Sequence, residues 1–138
     1  MGTVVDGLRQ TYWAKDRSEN LIRKAWDHST LVFGLYEVNP DKTRRLLGFA
    51  RVISDLSIVA YLADVFLSEE FRGLGLGKWM VESIMGHPEL QNVRWLLQTR
   101  DMHRLYRKLG FTDMDPGVMV RARTEILPTL SSDDSALG

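Results

Sequence analysis

The stretch EEFRGLGLGKWM, from Glu69 to Met80, alternates glycines between an arginine and a lysine. An apolar run precedes it and a helix-like pattern follows. Backbone N–H groups collect unpaired at a helix start, and the helix dipole adds partial positive charge there. Glycines at such a turn let an anion reach the backbone with no Cβ in the way. Gly73, Gly75 and Gly77 thus suggest a pyrophosphate cradle, with Arg72 and Lys78 adding charge; a glycine turn without a ligand is the alternative. Spacing excludes two other cradles. A Walker loop reads G-x-x-x-x-G-K followed by Ser or Thr. Counted back from Gly77-Lys78, its first glycine falls on Arg72, and Trp79 stands where the hydroxyl belongs. The dinucleotide fingerprint G-x-G-x-x-G needs a third glycine at Lys78 or Met80.

Asp64 is the second residue with chemical potential. It is a lone carboxylate in the apolar run IVAYLADVFL, Ile58 to Leu67. Burying a carboxylate is costly unless it is paired. Asp64 is therefore a candidate base, a candidate anchor for a substrate amine, or a structural aspartate holding a loop or a neighbouring arginine. Asp55, on the preceding turn, is a further candidate anchor at a substrate mouth. Glu69 and Glu70 read as solvated loop charges. His28, His87 and His103 show no metal-ligand spacing, so no metal site is expected. Without cysteine the chain has no disulfide and no thiolate of its own.

Several elements must position these groups. The segment RQTYWAK reads as a short extended piece, followed by a helix with Leu21, Ile22, Ala25 and Trp26 on one face. LVFGLYEV (Leu31–Val38) and RLLGFARVIS read as two strands of a hairpin around the turn NPDKTR. Ile58–Leu67 reads as a central strand buried on both faces. From Leu76 the apolar positions Leu76, Met80 and Ile84 take helical spacing, and Pro88 marks the end. VRWLLQT is a further strand. DMHRLYRKLGF is a short helix with Met102, Leu105, Tyr106 and Leu109 on one face, closed by Gly110. GVMVRARTEI reads as a last strand. The expected order is β-α-β-β-β-α-β-α-β in one domain over 1–125, with a C-terminal tail over 126–138.

The glycine stretch after an apolar strand resembles the coenzyme A loop of the GNAT (Gcn5-related N-acetyltransferase) superfamily. That loop reads Gln or Arg, two residues, Gly, one residue, then Gly or Ala, and Arg72, Gly75 and Gly77 match its fixed positions. LYRKLGF (Leu105–Phe111) is similar to the family's second signature, a helix tyrosine followed by a Gly-Phe turn. The resemblance spans about Leu31 to Arg123. It implies an α+β fold with a single mixed, mostly antiparallel sheet flanked by helices, in which a splayed strand pair holds coenzyme A. It further implies acetyl transfer from acetyl-CoA to an amine by direct attack, with no metal. The cradle then maps onto Arg72, Gly73, Leu74, Gly75, Leu76, Gly77 and Lys78. The pantetheine arm would pair with the backbone of Val65, Phe66 and Leu67. Tyr106 matches the tyrosine that protonates the leaving thiolate. Thr99 stands where the family often has asparagine, and its hydroxyl could bond the cofactor or cap the helix.

Composition narrows the acceptor. Lys and Arg number 18 and so do Asp and Glu, for a formal net charge of +0, which argues against a dedicated nucleic-acid binder. No apolar run approaches the roughly 18 residues of a membrane span. The opening MGTVVDGLRQ lacks the basic-then-apolar layout of a signal peptide, and Asp6 breaks a myristoylation pattern. A cytoplasmic location with no membrane partner is expected. A small-molecule primary amine is the expected acceptor. A protein N-terminus or lysine, or a non-catalytic acyl-CoA-binding module, are the alternatives. An apolar C-terminal strand could pair two copies into a homodimer.

Overall fold

The computed structural model describes residues 2–113 and 116–123. Helices α1 (Gly2–Arg9) and α2 (Glu19–Asp27) come first, then strands β1 (Leu31–Val38), β2 (Arg44–Ser54) and β3 (Val59–Leu67). Helix α3 (Leu76–Met85), strand β4 (Arg94–Leu97) and helix α4 (His103–Lys108) follow, with short 3-10 turns at Glu69–Phe71 and Pro88–Leu90. The sheet has four strands in the order β1-β2-β3-β4. Its first three strands are antiparallel and β4 joins β3 in parallel. This is the mixed, mostly antiparallel sheet flanked by helices.

Alternation sorts the side chains onto two faces. Leu35, Leu47, Ala50, Val52, Ala60 and Leu62 pack with Met80, Val81 and Ile84 of α3 and with Tyr106 of α4. Phe49 instead packs with Val5 and Leu8 of α1 and Ile22 and Trp26 of α2. The sheet is thus covered on both faces, as the nearly unbroken apolar pattern of β3 requires.

Two expected strands are not found among the described residues. The first extended piece is replaced by α1 and a turn over 10–16. Val5 and Leu8 lie on one side of α1 and are buried, with Gly7 between them. A Cβ at Gly7 would stand 2.9 Å from the Phe49 ring, so the glycine that disguises the helix is also what lets it sit down on the sheet. Of the last strand, 117–123 carries no strand, Met119 is 93% exposed, and 124–126 lies outside the described residues, as does the tail over 126–138. Two helix details also differ. Helix α3 stops at Met85 with Gly86 as its C-cap, before Pro88 is reached. Met102 and Leu21 are exposed instead of facing the core.

Candidate active site

The register of the parallel pair defines the site. β3 and β4 pair from Val59↔Arg94 to Leu62↔Leu97 and no further. Beyond Leu62, β3 continues to Leu67 with β2 as its hydrogen-bonding neighbour, opposite Gly48 and Phe49. Val65, Phe66 and Leu67 therefore lie where β3 and β4 have parted. The departure coincides with a β-bulge: between Phe49↔Phe66 and Arg51↔Ala63, β3 places Asp64 and Val65 against Ala50 alone. Bulges bend a strand and re-aim its side chains. Asp64 takes the left-handed conformation there, φ 54°, which aspartate tolerates better than most residues. Across the pair, a Cβ at Gly48 would meet the Phe66 carbonyl oxygen at 2.6 Å, so close strand approach at this point depends on glycine.

Asp64 has the partners its burial demands. Its side chain is 2% exposed. Oδ1 accepts from Trp13 Nε1 at 2.9 Å and from Arg17 at 3.0 Å; Oδ2 accepts from the same Arg17 nitrogen at 3.0 Å and from Arg51 Nε at 2.8 Å. The carboxylate thus ties the α1–α2 connector to the sheet at the bulge. Of the alternatives left by the sequence, the geometry is that of an aspartate held by neighbouring arginines, with both oxygens occupied. Arg51, itself in the middle of an apolar strand, is the signal in the sequence that Asp64 had a partner.

The glycine stretch lies directly after β3. Gly73 and Gly75 have φ of +83° and +80°, and a Cβ on either would meet nothing within 4 Å. Their side of the turn is open, and their conformation is one that favours glycine. Gly75 is the N-cap of α3 and no side chain caps that end. The N–H groups of Leu76, Gly77 and Lys78 are therefore left for another acceptor. Gly77 differs from the other two: it is helical, and a Cβ there would make ordinary contact with Leu67 at 3.9 Å. Arg72 is fixed by Nε donating to the Leu67 carbonyl at 3.0 Å, while Leu74 and Lys78 face solvent. These groups form an open cationic turn that fits a pyrophosphate.

Tyr106 is buried in the core cluster that also holds Met80, Val81 and Ile84 of α3. Helix α4 closes on Gly110 at φ +94°, with Gly110 N–H donating to Arg107 and Phe111 N–H donating to Tyr106. That is a Schellman closure, and its apolar contact is the edge-on packing of Phe111 against Tyr106 at 5.6 Å. The Gly-Phe turn thereby holds the tyrosine. Burial first, then the Asp101 carboxylate and Tyr12, push the Tyr106 hydroxyl up to about 12, so it keeps its proton through the neutral range. Thr99 Oγ1 accepts at 3.0 Å from the N–H of Met102, the N-cap residue of α4, and no side chain of the described residues caps the first turn of that helix.

Tyr12 was not singled out by the sequence. Its hydroxyl accepts from Arg100 N–H at 3.0 Å and its ring lies under the Arg100 guanidinium at 3.8 Å. Next to it, Trp13 reaches Asp64. The connector therefore touches both β3 and the chain leaving β4, across the place where the two strands part. Asp55 is elsewhere. Its carboxylate accepts from the backbone N–H groups of Ile58, Ser57 and Val59, which lower its pKa and organise the β2–β3 turn. That turn precedes β3, roughly 17 Å of strand away from the bulge at about 3.3 Å per residue. A cavity of about 540 Å³ between β1 and α3, lined by Phe33, Tyr36, Trp79 and Met80 among others, includes none of Gly73, Gly75, Gly77, Asp64 and Tyr106.

The sequence profile of the Acetyltransferase (GNAT) family matches residues 5–111. A solved GNAT-family chain from Xanthomonas campestris pv. campestris is 42% identical with a TM-score of 0.76, covering 88% of this chain and 84% of that one. The uncharacterized N-acetyltransferase ycf52 of Porphyra purpurea is 35% identical over 109 residues, 77% of this chain and 61% of the relative. Serotonin N-acetyltransferase 2, chloroplastic, of Oryza sativa subsp. japonica is 30% identical over 123 residues, 83% of this chain and 60% of the relative. The chain thus spans about three fifths of the length of these two curated relatives.

Proposed function

Since the chain belongs to the GNAT family of acetyltransferases, we propose that it moves an acetyl group from acetyl-CoA to the primary amine of a small molecule by direct attack. The observation that carries this reading is the parting of β3 from β4 beside an uncapped, glycine-lined helix start. The rice relative, named for serotonin, supports a small amine as the acceptor class.

Acetyl-CoA, when bound, supplies an acetyl group activated as a thioester. The chain's own residues have separable tasks. The N–H groups of Leu76, Gly77 and Lys78, with Arg72 and the Lys78 charge, hold the pyrophosphate. The backbone of Val65, Phe66 and Leu67, free of β4, receives the pantetheine arm as a strand and offers N–H groups to the developing oxyanion. Tyr106 gives its proton to the departing sulfur and regains one from solvent. Asp64 already accepts from Trp13, Arg17 and Arg51, so we assign it to holding the connector. The amine's proton leaves to water.

Calorimetric titration with acetyl-CoA tests the cradle. Micromolar binding is expected for the native chain and none for a folded Arg72→Glu, Gly75→Val variant. Absence of binding to the native chain overturns the assignment. Binding without thiol release against a broad amine panel points instead to a non-catalytic acyl-CoA-binding module.

A further inference from the structure

The cluster at the bulge does not balance its charge. Arg17 and Arg51 share one carboxylate, that of Asp64. Arg51 is the more enclosed, its side chain 13% exposed, and its remaining hydrogen bond runs to Ser29 Oγ at 3.4 Å. Arg17 is different. A single nitrogen of its guanidinium, NH1, serves both oxygens of Asp64, and a quarter of its side chain is open. Its Nε and second terminal nitrogen bond no described residue. The planar pair of N–H groups with which arginine grips a carboxylate side by side is therefore unused. The guanidinium is held in place by Asp64 and does not have to be ordered when a ligand arrives, which lowers the entropic cost of binding.

This charge sits beside the transfer centre. Asp64 immediately precedes the β3 segment that has left β4. Around Arg17, the same connector presents Tyr12 and Trp13, each 39% exposed, and β3 presents Tyr61, whose hydroxyl senses Asp64, Arg51 and Arg17. Half-open aromatic rings next to a fixed, partly desolvated cation form a surface for a molecule with an apolar body and an anionic end.

We propose that Arg17 receives a carboxylate of the acceptor, so that the amine acetylated here belongs to an α-amino-acid-like molecule with an aromatic or large apolar side chain. The proposal rests on the acetyl-transfer reading of the same site and names its substrate class. Arg17 is the specificity residue, and Asp64 is its positioning residue.

The test compares acceptors that differ in the carboxylate alone: phenylalanine with phenethylamine, tyrosine with tyramine, tryptophan with tryptamine. Acetyl-CoA-dependent thiol release is measured for each with the full chain. In the native protein the carboxylated member should have the higher kcat/KM by at least about tenfold, the discrimination that a charge-assisted hydrogen bond supports. Arg17→Gln should bring that ratio towards one, and Arg17→Lys, which keeps the charge without the planar fork, should fall between. Acetyl-CoA affinity measured alongside shows whether each variant is folded. A second measurement needs no variant: 3-phenylpropionate, which has the carboxylate and no amine, should inhibit the native protein competitively against the acceptor and not against acetyl-CoA. Equal or faster acetylation of the decarboxylated amines, a ratio untouched by Arg17→Gln, or failure of 3-phenylpropionate to compete overturns the proposal and leaves the transferase reading standing. No thiol release with any acceptor overturns both.

Discussion

At the scale of single residues, Tyr106 separates chemistry from structure most cleanly. Its ring belongs to the core and its hydroxyl makes no hydrogen bond to a described residue, so Tyr106→Phe removes an oxygen and little packing. If the hydroxyl is the proton donor, kcat falls by about 100-fold or more while acetyl-CoA affinity is unchanged. Unchanged turnover across pH would reject the role. The same variant carries a stability signature. An unfolded chain loses this proton near 10, whereas the folded chain keeps it to about 12. Across that interval the folded state binds more protons, so stability falls as pH rises, by up to about 3 kcal/mol at about 1.4 kcal/mol per unit. Tyr61, also raised chiefly by burial, adds to the slope. Urea midpoints at pH 9 and pH 11 should therefore drop less steeply in Tyr106→Phe than in the native protein. Tyr106 was legible because tyrosine and the Gly-Phe turn lie within one short helix. Asp64 was legible as a carboxylate in an apolar strand that needed a partner, with a neighbouring arginine among the readings, but most of the residues that hold it were not. Its partners Trp13 and Arg17 stand 51 and 47 residues away, and nothing local announces them.

At the scale of elements, the glycines of the cradle divide by conformation. Gly73 and Gly75 are needed by the backbone, whereas Gly77 is an ordinary helical position with room for a methyl group. Gly75→Ala should lose about 1–2 kcal/mol in thermal or urea denaturation, the cost of the left-handed conformation for a residue with a Cβ. Gly77→Ala should leave stability unchanged or raise it, by up to about 1 kcal/mol, and leave acetyl-CoA binding in calorimetry intact, since the loop pattern that Gly77 matches takes Gly or Ala there. Lost affinity in Gly77→Ala would mean that the ligand lies closer to that position than the loop pattern implies. Strand and helix periods placed β1, β2, β3, α3 and α4 correctly because each has a clear apolar repeat within its own length. They failed at α1, where valines and a glycine hide a short helix. The glycine is present because the helix rests on Phe49, a contact across 42 positions of the chain that no local period contains (49 − 7). The expected terminal strand failed for a related reason: alternation in 117–123 describes a capacity to pair, and among the described residues that segment has no strand beside it.

At the scale of the whole molecule, the site is a convergence of distant segments on one edge of a sheet. The connector between α1 and α2 is fastened to β3 through Asp64 and to the chain after β4 through Tyr12 and Arg100. Asp64→Ala should therefore act globally. It leaves two guanidinium groups facing each other without their anion, and removal of one member of a buried ion cluster costs about 3–5 kcal/mol. Denaturant unfolding should show a loss of that size, with weakened protection of the connector amides in hydrogen exchange. A loss below about 1 kcal/mol would mean that the clamp contributes little and that Asp64 is available for another task.

The sequence by itself determined the local chemistry: a glycine turn at a helix start, a tyrosine locked by a Gly-Phe turn, and strands and helices whose periods imply a mixed sheet. These properties depend on neighbours a few positions apart, where backbone sterics and periodicity act. Tertiary structure alone decided the rest. The parting of β3 from β4 is a matter of register between strands. The assignment of Asp64 depends on which arginines the fold brings to it. The placement of Asp55 at the far turn follows from the antiparallel hairpin, and the unused face of Arg17 follows from how one carboxylate is shared. Each of these is set by contacts between segments far apart in the chain, whose identity is specified when the sheet and its two helical layers close together.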